Sequence, residues 1–245
     1  MYWIYTREVD PMVGIIVATI EELEALQKKL GVSKSRVAVS RHAVGGVMEF
    51  GTGLLGSERV CYCRCGVGKV AAALCVQQMV DRFRPEKILM VGVAGALNPK
   101  LHVGDIVVSE DAVQHDFDTT YFGDPPGYVS GINCFNFKAD PVLRDKAVVA
   151  AGLLGYHCIV GRILTGDQFI SDQAKKEWLI ETFQGDCCEM EGAAIAQACY
   201  TNHVPFVIIR AISDSASDEA IVQYGEFVKE AADKAVALLS EILQS

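Results

Sequence analysis

The sequence has no apolar run approaching the roughly 18 residues that a membrane-crossing helix needs. It also lacks the apolar N-terminal core of a signal peptide, because Arg7, Glu8 and Asp10 stand where that core would lie. A soluble, cytoplasmic protein is the expectation. Linkers, repeats and low-complexity stretches are missing as well. The 245 residues are therefore expected to form one domain, 13–245, behind a polar N-terminal extension, 1–12. Clustered positive charge is absent: the net charge is −9, the pI is about 5.1, and Lys and Arg are scattered. That argues against nucleic acid or an anionic membrane as partner and in favour of a small-molecule ligand. A disulfide framework is excluded differently. There are nine cysteines, an odd number, mostly among aliphatic residues of strand-like and helix-like segments, as packed thiols in a reducing compartment would be. Cys61, Cys63 and Cys65 share one strand face, but their spacing is not a zinc spacing and no His is near, so no metal is expected there.

What the sequence has in quantity is core, 51% hydrophobic residues, and a steady alternation of strand and helix patterns. Residues 13–18 read as a buried strand running into a helix start, with Thr19 as N-cap and Glu21, Glu22 and Glu24 behind it. Short β-like pieces within 37–65, including 46–51 and 59–65, lead to Gly66-Val67-Gly68-Lys69 and a helix over 70–82. That Gly-X-Gly has neither a Rossmann nor a P-loop spacing and reads as a tight turn under the sheet. Strands are predicted at 87–93, 105–112 and 158–165, helices at 141–154, 172–183 and 224–243. The small residues of 92–96 would let a ligand approach the backbone closely. A polar loop over 114–129 is long enough to be functional, and its His115-Asp116 pair reads as a loop hydrogen bond rather than a base and its orienter. The architecture expected is α/β, a mixed, largely twisted central sheet flanked by helices in a single domain.

The segment 187–214 delivers two carboxylates, Glu191 and Asp214, at the ends of two strand-like runs separated by a helix-like stretch, 193–200. In an open α/β sheet the ligand crevice lies beyond the carboxyl ends of the strands. Acids there are candidates for chemistry, although they can equally cap helices or pair with a structural Arg. Glu189 is expected to face the opposite way.

The motifs G-I-I-V-A-T-I-E-E-L (14–23), G-V-G-K-V-A-A-A (66–73), G-V-A-G-A-L (92–97), V-G-D-I-V-V-S (103–109), G-D-Q-F-I (166–170), E-M-E-G-A-A-I-A (189–196) and V-P-F-V-I-I-R-A-I-S-D (204–214) occur in that order. Together they resemble the purine nucleoside phosphorylase and nucleosidase superfamily from about residue 13 to 243. The acidic helix start points to its nucleosidase branch, which releases adenine from 5′-methylthioadenosine and S-adenosylhomocysteine.

The resemblance implies a cofactor-free hydrolysis of an N-ribosidic bond in an adenine nucleoside. Adenine must be protonated as it leaves, and Asp214, if held protonated at a strand end, would be that general acid. Glu191 would bind the ribose hydroxyls and stabilise positive charge on the sugar. Glu22 would act as base for the attacking water, as in an inverting glycosidase. By the same match Phe169 stacks on the base, the backbone of Ile170 reads its amino edge, and Met190 packs under the sugar. Tyr224 and, from the second subunit of a homodimer, Phe122 line the 5′ pocket. Ser213 steadies Asp214, and Arg210 helps to position the water. Val93 stands where the family has a serine beside that water, which removes one hydrogen bond.

A phosphorylase of the same fold needs arginines where the water would sit, and none occurs in 14–26 or around Gly92. The glutamates there would instead repel a phosphate. Two other readings remain open at this level: a purine nucleoside phosphorylase, and a non-catalytic nucleoside-binding protein.

Overall fold

In the computed structural model, which describes residues 11–31 and 48–244, β1 (Val13–Val17) is buried at every position, as a strand covered on both faces must be. It pairs in parallel with β3 (Glu58–Arg64) on one side and β4 (Lys87–Ala96) on the other. β2 (Glu49–Leu55) forms an antiparallel hairpin with β3. The β-like start expected at residue 46 falls partly outside the described residues, as do residues 1–10 of the expected extension. Met12, assigned to that extension, is buried, and its carbonyl accepts the Glu86 N–H (3.0 Å).

Beyond β4 the mixed sheet closes on itself. β4 runs parallel to β9 (Phe206–Asp214), which pairs antiparallel with β5 (Ile106–Gln114). β5 runs parallel to β7 (Cys158–Thr165), β7 to the short β8 (Cys187–Glu189), and β8 returns antiparallel to Gly95 and Ala96 at the end of β4. A two-residue β6 (Phe137–Lys138) hangs on β5. The mixed, helix-flanked sheet agrees with the expectation. Its closure into a five-strand ring does not follow from any local pattern, because it depends on β4 pairing with both β9 and β8 besides β1, and on β9 bridging β4 and β5.

Six helices among the described residues cover the sheet: α1 (Ile20–Leu30), α2 (Lys69–Phe83), α3 (Pro141–Leu153), α4 (Gln173–Phe183), α5 (Gly192–Thr201) and α6 (Ala220–Gln244). The Thr19 cap is present, and α1 ends on Gly31 in the left-handed region (φ 63°), where glycine carries no Cβ penalty. α6 starts one turn earlier than its pattern suggests, so Tyr224 lies inside the helix. None of the helices is long and apolar enough to cross a membrane. All nine thiols are free, and Cys61, Cys63 and Cys65 are buried.

The small residues of β4 serve the protein's own carboxylates. A Cβ on Gly92 would run into the Arg210 guanidinium and stand 2.7 Å from Glu22 Oε1, and one on Gly95 would stand 2.7 Å from Asp214 Oδ1 and 2.9 Å from Ala216 Cβ. β9 is irregular at the same level, where Ala94 pairs with Ile212 but Gly95 with Asp214. Such a bulge re-aims the side chains at the strand end. Gly95→Ala is therefore expected to cost roughly 1–3 kcal/mol through overpacking, a fall on the order of several degrees in Tm. Gly131→Ala, whose Cβ would meet open space, should leave Tm unchanged in the same thermal melts.

Candidate active site

The C-terminal ends of β1, β4, β8 and β9 and the loop after β7 surround a cavity of about 220 Å³. Its wall includes Glu22, Val93, Phe169, Ile170, Met190, Glu191, Arg210, Ser213, Asp214 and Tyr224. Ten of the eleven residues singled out from the sequence thus meet in one place. The exception is Phe122, which lies on a one-turn 3-10 segment (Thr120–Phe122), 81% exposed and edge-on to Tyr121. It does not line this chain's own cavity.

Glu22 closes the N-terminus of α1. Its Oε2 accepts the N–H groups of Ala18 (2.7 Å) and Thr19 (3.1 Å), and its Oε1 reaches across to the Val93 N–H (3.1 Å). The capping role and the site role fall on the same side chain. Burial raises its pKa, against the opposing pull of Arg210 and the three N–H groups. Val93 contributes its backbone to this contact, while its side chain faces the cavity.

The other glutamates divide the work of a helix terminus. Glu191 occupies the N-cap position of α5 yet makes no cap bond of its own. Glu189 does that instead, accepting the Gly192 N–H (2.8 and 2.9 Å) and the Glu191 N–H (3.2 Å), while Thr165 Oγ1 accepts from Ala193 (2.7 Å) and donates to Glu189. Glu189 also pairs with the buried Arg210, whose Nη2 stands 3.6 Å from Glu191 Oε2. Glu189 takes the helix cap and the closer contact with Arg210, and, contrary to the expectation that it faces the opposite way, it lines the same cavity as Glu191. Glu191 is left facing the cavity, steadied by the Gly68 N–H (2.9 Å). Burial first, then the Glu189 charge, pushes its pKa up to about 8. Burial disfavours a charged Arg210, but Glu189, Glu191 and Glu22 together hold it protonated.

Asp214 ends β9 with Oδ2 accepting from Ser213 Oγ (2.8 Å) and Oδ1 from the Ala216 N–H (2.9 Å). Burial raises its pKa over the opposing effect of those donors and of Lys176. Phe169 and Tyr224 meet edge-to-face, centroids 5.8 Å apart, at the outer end of the cavity.

Two expectations change. Gly66–Lys69 is not a turn under the sheet: Val67 lines the cavity and Gly68 holds Glu191. The signal was present in Gly-X-Gly-Lys, but its spacing fits no phosphate motif, and the partner carboxylate is 123 residues away. The His115-Asp116 pair is not joined by a hydrogen bond. Asp116 binds Lys69 and the Asp167 N–H, while the buried His115 ring stays neutral, its pKa lowered by burial to about 4.

Residues 12–245 match the family described as the Phosphorylase superfamily. The chain is 38% identical over 221 residues to the 5′-methylthioadenosine/S-adenosylhomocysteine nucleosidase of Geobacillus thermodenitrificans, covering 89% of this chain and 93% of that one. It is 42% identical over 162 residues to the aminodeoxyfutalosine nucleosidase of Campylobacter jejuni, covering 66% and 70%. The crystal structure of the methylthioadenosine/S-adenosylhomocysteine nucleosidase of Colwellia psychrerythraea in complex with adenine superposes with a TM-score of 0.87 at 34% identity, over 96% of this chain and 95% of that one. The chain belongs to the Phosphorylase superfamily and, within it, to the nucleosidases, the N-glycosyl hydrolases of this fold.

Proposed function

We propose that the protein hydrolyses the N-ribosidic bond of 5′-methylthioadenosine and S-adenosylhomocysteine, releasing adenine. The observation that carries this reading is the charge of the cavity wall. Glu22, Glu189, Glu191 and Asp214 line it, and the one cation among the described lining residues, Arg210, is already paired with Glu189. A phosphate dianion would find no cation free to bind it among these lining residues, whereas water and a cationic sugar suit the wall.

In this mechanism Asp214, held protonated by burial more readily than an ordinary aspartate, gives its proton to the purine ring as the bond breaks. Glu191 takes the ribose hydroxyls. Those donors and the developing positive charge favour its anion, so substrate binding lowers its pKa and releases a proton. Glu22 accepts a proton from water on the other side of the sugar, with Arg210 in reach of the same carboxylates. Glu22 and Asp214 rest against Gly92 and Gly95 of one strand, a separation along β4 of roughly 10 Å at about 3.3 Å per residue.

Phe169 and Ile170 are assigned to the base, Met190 to the sugar, and Tyr224 to the 5′ substituent. The exposed Tyr121-Phe122 pair supports a homodimer in which Phe122 completes the partner's 5′ pocket. Similarity to the aminodeoxyfutalosine nucleosidase supports a second reading, in which the same chemistry acts on an adenine nucleoside with a bulkier 5′ group.

Incubation with 5′-methylthioadenosine should release free methylthioribose and adenine at the same rate with and without phosphate. A sugar 1-phosphate formed only with phosphate present would overturn the assignment. Asp214→Asn and Glu22→Gln should each lower kcat by at least ~10², and near-normal turnover in either would remove that residue from the mechanism. A third outcome concerns pH. The Glu191 carboxyl ionises near 4.5 in the unfolded chain and near 8 in the fold. Its contribution to stability is complete below 4.5 and is lost as pH rises toward 8. In ligand-free protein the Tm of Glu191→Gln should therefore rise relative to that of the unsubstituted protein across this interval. Parallel Tm curves would refute the buried-acid assignment.

A further inference from the structure

Three segments distant in sequence are tied together beside the cavity by a closed ring of polar contacts that the proposed mechanism does not use. The Lys69 N–H, at the start of α2, donates to Asp167 Oδ1 (2.8 Å) in the loop after β7. The Asp167 N–H donates to Asp116 Oδ2 (2.9 Å) in the loop after β5. Asp116 Oδ1 closes the ring on the Lys69 ammonium, which also donates to Gln114 Oε1 (3.2 Å). Gln114 in turn donates to Gln197 of α5.

α2 has no cap of its own. Its N-cap is Gly68, at φ 100°, and a Cβ there would stand 3.0 Å from Asp167 Oδ1. The first N–H groups of the helix are capped instead by two carboxylates from elsewhere, Glu191 on Gly68 and Asp167 on Lys69. This satisfies donors that the helix cannot satisfy itself, and it suits the positive end of the helix dipole. The Lys69 and Asp116 side chains are 18% and 17% exposed, little enough for the pair to be weakly screened. Burial disfavours a charged Asp116, yet Lys69 and the Asp167 N–H hold its carboxyl below the usual range.

What the ring connects is what the reaction needs held in register. Asp167 is two residues before Phe169, which faces the base, and Gly68 is the neighbour of Lys69 and steadies Glu191, which faces the sugar. We propose that Lys69 is a positioning residue that, through Asp116 and Asp167, holds the base-stacking loop 166–170 against the helix end supporting Glu191. Without its ammonium Asp116 would lose its cationic partner, the loop would keep only the backbone contact between Asp167 and the Lys69 N–H, and the nucleoside would be bound with base and sugar out of register, which is costly even at ångström scale. The proposal rests on the nucleoside reading of the cavity.

The test compares Lys69→Met, Lys69→Arg, Asp116→Asn and the Lys69→Met/Asp116→Asn double variant with the unsubstituted protein. KM and kcat for 5′-methylthioadenosine, the Kd of adenine by calorimetry, and Tm are measured. Lys69→Met and Asp116→Asn should each raise KM and the adenine Kd by roughly tenfold or more, the scale of a lost charge-assisted hydrogen bond. kcat should fall less, Lys69→Arg should recover part of the loss, and the double variant should be no worse than the poorer single one. KM and adenine affinity within twofold of the unsubstituted protein would overturn the proposal. So would losses that follow Tm across the series with no recovery in Lys69→Arg, since those mark a merely structural contact. Should Lys69→Met fail to fold, Asp116→Asn, which keeps the side-chain shape, decides alone. Failure of the unsubstituted protein to bind adenine would instead overturn the nucleoside reading, and this proposal with it.

Discussion

One guanidinium, buried among acids, sets the terms for the rest of the site. Arg210 is 1% exposed and stands within the field of Glu189, Glu191 and Glu22. Leaving any of these charges alone in the interior would cost several kcal/mol, so one direct pair with Glu189 and shared attraction to the others keep the cluster tolerable. The cation does not neutralise all three acids. Burial, aided at Glu191 by the Glu189 charge, leaves carboxyls that retain protons to unusually high pH, Glu191 up to about 8. A site that must stabilise a sugar cation and deliver a proton to a base can use both properties.

The same economy appears at the helix ends. α1 is capped by Glu22, α5 by Glu189 and Thr165, and α2 by Glu191 and Asp167. Each carboxylate that reaches the cavity is held by backbone N–H groups of a helix start or strand end, so its position is fixed by secondary structure rather than by a flexible rotamer. Gly92 and Gly95 make this possible on β4 by leaving the space that a Cβ would fill. Stability and site geometry therefore depend on the same contacts, and substitutions here act on both.

Much of the element order was legible from the chain itself. β7 runs over Cys158–Thr165 as its apolar pattern indicates, and the Thr19 cap stands where its sequence context puts it. Ten residues named from sequence and family resemblance line one cavity. The loop pair His115-Asp116 shows where this kind of reading stops. Adjacent in sequence and both beside Gly166, the two side chains make no hydrogen bond to each other: the buried His115 ring has none, and Asp116 binds Lys69 and the Asp167 N–H. Gly66–Lys69 shows the converse, a motif whose spacing fits no known phosphate site but which meets Glu191 across 123 residues.

The sequence by itself determined the alternation of strands and helices, the buried character of the sheet and the identity of the acids, because periodicity and capping are local properties of neighbouring residues. It also brought the carboxylates to strand ends, where an α/β sheet has its crevice. Only the tertiary structure decided which acid does which job. Glu189 and Glu191 are two residues apart and chemically identical, and nothing local says that one caps α5 and binds Arg210 closely while the other makes no cap bond and takes the Gly68 N–H. That choice depends on where Arg210, Thr165 and Gly68 arrive, and they arrive from three different strands and turns only once the ring of β4, β9, β5, β7 and β8 has closed.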